Sequence, residues 1–216
     1  MAQIINFDEA KDKKDNEKVN KIEKERCNDI LKNLKEKRED FNTSVITTTA
    51  EDILKALGFY NKKIATPIVK IAKAFEVKSY IVDQNDNNIE GQLFINGTTK
   101  NLYGQDKVII VNKKNDSYFN RFIVARQLGA FLFNFKEKNG YKDKKNVFID
   151  TYYSNQYCKE YERFATEILM PLNMFAKQYT VGAEELHYRI FVVKYLSCYF
   201  EVPEYLVERR INELTN

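Results

Sequence analysis

Tryptophan is absent from this 216-residue chain, histidine occurs once, at His187, and cysteine three times, at Cys27, Cys158 and Cys198. A single histidine excludes every motif that needs two imidazoles, H-E-x-x-H among them. Three widely spaced cysteines with no C-x-x-C pair fit reduced thiols better than a disulfide framework. Only seven glycines occur, and neither G-x-x-x-x-G-K-[ST] nor G-x-G-x-x-G is among their settings, so nucleotide cradling has no support. A serine nucleophile elbow, G-x-S-x-G, is missing too. Asp150-Thr151 is followed by Tyr152, not by the glycine of an aspartic dyad. A Cys–His enzyme would have to use His187, which lies in AEELHYRIF with the ordinary setting of a surface or core-edge histidine.

Long apolar runs are lacking as well. The stretch 190–193 is typical and far too short to span a bilayer. Residues 1–7 show no basic segment followed by an apolar one. These absences predict a soluble, cytoplasmic protein that does not engage membranes. Charge of one sign is also scarce: 31% of residues are charged, yet the net charge is only +4, which argues against nucleic acid as the main partner.

What the chain does have is apolar bulk, 44% of its residues, with fifteen Phe and fourteen Tyr to fill a core without Trp. That suits one compact domain with a short appendage. Residues 1–43 read as a charged helical arm in which Val19, Ile22, Ile30 and Leu34 recur at helical spacing, beside Cys27 and Leu31. A solvated helix with a narrow apolar stripe is the plain reading and a partner-docking arm the sharper one. The second unit runs over 44–216. A helix capped by Thr48 or Thr49 should end at Gly58, and another should open at Thr66-Pro67. Strands are expected over 79–82, 92–95 and 107–111, with turns at 83–88 and at Asn96-Gly97. Helices are expected over 118–136, 157–177 (interrupted at Pro171), 183–199 and 203–214. Short connections favour an antiparallel sheet, and the fold class is α+β.

Five segments in order resemble the ImmA/IrrE family of zinc metallopeptidases, over roughly 64–214. ATPIVKIAKAFEV is similar to the family's first core helix, and GQLFIN and KVIIVN to two of its strands. RFIVARQLGAFLF stands where family members carry "RFTLAHELGHFLL", and ERFATEILMP where they carry "NxFAxxLLMP". VVKYLSCYFEVPEYLVERRI resembles the closing helix pair. The resemblance implies a zincin-like scaffold: a small antiparallel sheet packed with helices.

The departure from the family falls on its chemistry. In H-E-x-x-H the two imidazoles share a helical face and hold zinc, while the Glu activates the bound water. The matching positions here are Arg126, Gln127 and Ala130. Ala130 offers no lone pair, Arg126 is permanently cationic, and Gln127 cannot take a proton. The family's third zinc ligand corresponds to Glu160, or to Glu162, since nothing anchors the alignment there. If Arg126 fills the metal's place, a bidentate pair with that carboxylate is expected. No cofactor, metal or catalytic residue is therefore expected. A makeshift site of His187 with Cys158 or Cys198 is the only metal alternative.

Intact members of this family commonly cleave helix–turn–helix repressors in phages, mobile elements or stress responses. The resemblance thus implies a regulator that acts by binding another protein, with a transcriptional regulator the expected partner. Two alternatives stand beside it: a hydrolase with a rearranged metal site, and a scaffold that binds through its N-terminal helix. The segment 194–211 has a helix–turn–helix look, but over 182–216 six acids outnumber four bases, so it reads as packing. The lysines at 136, 138, 142, 144 and 145 read as a solvated loop that could meet an acidic partner.

Overall fold

The computed structural model describes residues 13–36, 43–62, 64–84, 89–95, 100–134, 147–151 and 158–215. The segment 1–7, the turn at Asn96-Gly97 and the lysine cluster at 136–145 lie outside the described residues, as do the side chains of Val19 and Cys158.

Helix α1 (Lys13–Glu36) is a mixed-charge helix whose apolar positions 27, 30, 31 and 34 follow the i, i+3, i+4, i+7 rule. That stripe is not left to solvent. Cys27 and Leu34 are buried, and Ile30 and Leu31 pack on the core beside them. Ion pairs join Lys24 to Glu76 and Glu23 to Lys70, and Arg26 Nη1 donates to the Ala56 carbonyl at 2.6 Å. The stretch 23–34 thus lies against the domain instead of standing off from it.

Helix α2 (Thr43–Ala56) begins at Thr43, five or six residues before the threonine caps expected from the sequence. Thr49 is buried inside the helix, its hydroxyl donating to the Val45 carbonyl at 2.7 Å. Burial of Ile46, Ala50, Ile53 and Leu54 outweighs the poor helix propensity of a Val-Ile-Thr-Thr-Thr run. Gly58, at φ 70, closes the helix as expected, and α3 (Ile68–Ala74) follows Pro67.

Four strands form one sheet in the order β1 (Lys78–Val82), β3 (Val108–Asn112), β2 (Ile89–Phe94), β4 (Val147–Thr151). The sheet is mixed, which corrects the antiparallel expectation. β2 is antiparallel to both its neighbours, but β1 and β3 are parallel. The reason is that β2 does not hairpin onto β1. The chain leaves a strand's width between them, and the return through the short helix α4 (Lys100–Tyr103) lays β3 into that gap. β3 (VIIVN), flanked on both sides, is buried along its whole length. β4 was not anticipated at all.

Helix α5 (Ser117–Asn134) is the centre of the molecule. Asp116 Oδ1 accepts the Phe119 N–H at 2.9 Å and so caps its start. Every residue from 122 to 133 is buried, the mark of a helix surrounded on all sides. Helix α6 (Cys158–Leu169) crosses it at Gly129, where an added Cβ would lie 3.0 Å from Phe164 Cδ1. Pro171 ends α6 and starts α7 (Leu172–Leu186) as expected. The next break falls at His187, so Ala183 belongs to α7, and α8 (Arg189–Phe200) begins later than anticipated. α9 (Glu204–Thr215) closes the chain. Val192, Val193, Leu196 and Phe200 of α8 and Leu206, Val207 and Ile211 of α9 are core residues, so one face of each closing helix is packed into the domain.

Candidate functional site

Arg126, Gln127 and Ala130 lie in the middle of α5, 6%, 0% and 1% exposed. Buried charge needs a partner, and Arg126 has one that sequence reading missed. Its Nη1 stands 3.9 Å from Glu90 Oε2, and its guanidinium lies over the Phe122 ring, 5.4 Å from the centroid. The pairing with Glu160 or Glu162 expected from the resemblance is not what the fold brings together. Glu160 is exposed in the first turn of α6, and Glu162 pairs with Arg209 of α9 at 2.9 Å.

Backbone construction explains why Glu90 reaches the site. Along β2, Ile89 faces Thr151 and Gly91 faces Asp150, so Glu90 is the extra residue of a bulge, the device that re-aims a side chain. Asn115 Nδ2 donates to the Glu90 carbonyl at 3.1 Å, and Asn112 Nδ2 to the Ile89 carbonyl at the same distance. The loop between β3 and α5 thus clamps this bulge. Gly91 then passes so close to α5 that a Cβ would fall 2.3 Å from Ile123 Cγ2 and 3.7 Å from Gln127 Nε2. The sequence signal for all this was the glycine itself, since glycine inside a strand marks a bulge or a close approach.

Burial holds the Glu90 carboxyl above its ordinary range. Arg126 pulls it down and Glu162 pushes it up, and burial prevails. Gln127 faces the sheet with neither amide atom hydrogen-bonded. Tyr205 of α9, half exposed, stacks edge-on against Phe122 at 6.2 Å and 88°. Its phenol is held above the usual tyrosine range, chiefly by burial, with Arg126 and Arg209 opposing and Glu162 and Glu90 assisting. Those causes tie Tyr205, Arg126, Glu90, Glu162 and Arg209 into one electrostatic neighbourhood. Beyond Glu162 and Arg209 opens a groove of about 580 Å³ floored by Thr43 and Ile46 and edged by Lys159, Glu160, Arg163 and Glu213.

Zinc does not fit this donor set. At Arg126 and Ala130, the positions that the resemblance matches to the two imidazoles, stand a guanidinium and a methyl group, and the carboxylate of Glu90 is engaged with that guanidinium. Among the described residues no three His, Cys, Asp or Glu side chains are grouped so as to hold a metal. His187 is exposed at the corner between α7 and α8, at φ 55, and Cys198 is exposed on α8. No described helix is long and apolar enough to cross a membrane.

A second cluster lies deeper, between α6 and α9. Arg210, 1% exposed, grips Glu167 with two parallel bonds of 3.1 and 2.6 Å and also donates to Glu213 and the Met170 carbonyl. Arg163 Nε reaches Glu167 at 2.8 Å. Arg210 is therefore turned into the fold, whereas Arg209 is partly exposed at the groove and paired with Glu162.

Comparison with known proteins yielded no match among curated proteins or solved structures. Residues 72–212 match the family model described as the IrrE N-terminal-like peptidase domain. That span runs from α3 through α9 and takes in the sheet, α5 and its buried Arg126, so this chain belongs to the IrrE N-terminal-like domain family, which is the ImmA/IrrE resemblance drawn from its motifs.

Proposed function

We propose that this chain is a non-catalytic member of its family which controls another protein by binding alone. The observation that carries the reading is Arg126: a permanent cation, buried and neutralised by Glu90, at the position where the family's motif places a zinc ligand. Catalysis by this family needs a metal, a water and a base at that helix. Here the base position holds Gln127 and the second ligand position Ala130, so none of the three parts has a donor. What survives is the mouth of the old cleft, with a half-exposed tyrosine, two arginines and carboxylates around it. Tyr and Arg are the side chains that most often dominate binding interfaces.

The partner is proposed to be a transcriptional regulator of a phage or other mobile element, following the role that intact relatives imply. Nucleic acid is not its direct ligand, because Arg210 is buried in an ion-pair network and Arg209 is committed to Glu162. The protein works in the cytoplasm on this reading.

The test combines metal analysis and partner capture on one natively purified sample. Recovery of an uncleaved regulator, lost on Tyr205→Asp at the cleft mouth, with no stoichiometric zinc, is the expected result. Stoichiometric zinc, or cleavage of the captured protein, would overturn the reading and direct attention to Cys158, Cys198, His187 and Glu160.

A further inference from the structure

Helix α1 is fastened to the domain in two ways, and the two occupy different turns. Glu23, Lys24 and Arg26 make its polar ties, to Lys70 of α3, to Glu76 in the turn before β1 and to the Ala56 carbonyl that ends α2. Cys27, Ile30, Leu31 and Leu34, in the turns that follow, make its apolar contact. Both attachments are slight. The side chains of Lys24, Glu76 and Lys70 are about half exposed, and exposed ion pairs contribute little. Of the four apolar residues only Cys27 and Leu34 are fully buried, whereas α5 is buried at every position from 122 to 133. The helix also precedes the span 72–212 that the family model matches, so it is laid onto the shared core from outside.

The domain side of this contact strands no charge when α1 leaves. Glu76 keeps Lys107, at 3.5 Å, whose ammonium lies 5.2 Å from the centre of the Phe131 ring of α5. Lys70 keeps the Phe59 ring, 5.4 Å from its centroid. The Ala56 carbonyl stands at an exposed helix end, where water can take the place of Arg26. Arg210 is the opposite case, since its withdrawal would leave Glu167 in the core without its bidentate partner. Elements with few buried apolar contacts and exposed polar ties are the ones that open locally, at free energies well below that of global unfolding. We propose that α1 is a releasable strap: the stretch 23–34 lifts off α2 and α3 as one unit, the domain beneath stays folded, and the apolar strip under Cys27, Ile30, Leu31 and Leu34 is uncovered. The occupant of that strip is α1 itself, so whatever favours the open state must compete with it. Nothing in this device depends on the α5 site.

Hydrogen exchange of the full chain, read by mass spectrometry on peptides from α1 and α5, tests this directly. The amides of 27–34 should exchange as one group, about tenfold or more faster than the central amides of α5, through an opening that low urea scarcely accelerates. Fraying from the helix end would instead grade the rates along α1. Lys70→Glu sets a like charge against Glu23 and should quicken exchange of 27–34 about threefold, with α5 unchanged. Adding Glu23→Lys to that variant should restore the protection. Exchange of 27–34 in step with α5, only on global unfolding, overturns the proposal, and so does exchange as fast as an unfolded chain. Rates graded along α1, a Lys70→Glu effect shared equally by α5, or a charge reversal that restores nothing would each overturn it too.

Discussion

Gln127 is a buried polar residue whose burial carries a cost. It has the length of the glutamate that the resemblance places there, yet it is fully buried and both amide atoms lack a partner. An unmatched buried polar group costs about 1–3 kcal/mol. Gln127→Met keeps the length and removes the polar atoms, so it should raise stability by about 1 kcal/mol or more in urea unfolding. A loss of stability would mean that the amide is bonded after all, to water or to a bound group. Glu90 makes a second residue-scale prediction. Burial raises its pKa, so the folded chain holds that proton more tightly than the unfolded one. Stability should therefore fall as pH climbs from the ordinary glutamate range through the raised value. Glu90→Gln cannot titrate, so the wild type should lose ground to this variant across that window and keep a constant difference from it above. A difference that is flat or opposite in sign over the same window would contradict the assignment.

At the scale of elements, the pairing of α6 with α9 rests on a buried charge, and this makes it brittle. Arg210→Ala would leave Glu167 buried with Arg163 as its remaining partner. Removing one member of such a pair costs about 3–5 kcal/mol, and a urea midpoint that scarcely moves would show the network to be solvated. Most helices were legible in the sequence because their stop signals are covalent: Pro171, Pro67 and Gly58 act through their own backbone. Less legible were boundaries set by packing. α2 extends back to Thr43 because Ile46 has a core to enter, and the α7–α8 break falls at His187, a residue with no breaker chemistry. The residues of the candidate site split the same way. Arg126, Gln127 and Ala130 could be located from their neighbours in RFIVARQLGAFLF, whereas Glu90 could not, since a bulge shows only when β4 is seen beside β2.

Across the whole molecule, α1 is part of the domain's cover. Its Cys27 is 1% exposed, and its thiol is pushed up to about 12, chiefly by burial, with Glu23 adding to the effect. Thiol reagents at neutral pH should modify exposed Cys198 readily and spare Cys27, as read by peptide mass spectrometry. Disruption of the apolar stripe by Leu31→Asp should expose Cys27 to the reagent. Equal labelling of both thiols in the wild type would show that the helix stands off. By itself the sequence determined the α+β class, through local periodicity, and the family, through motifs that resemble it in order. Only the tertiary structure decided the mixed sheet, the docking of α1 and the choice of Glu90 over Glu160 as the partner of Arg126. Each of these is a contact between residues distant in the chain, and what forms it is burial of apolar surface and neutralisation of charge, which no local pattern encodes.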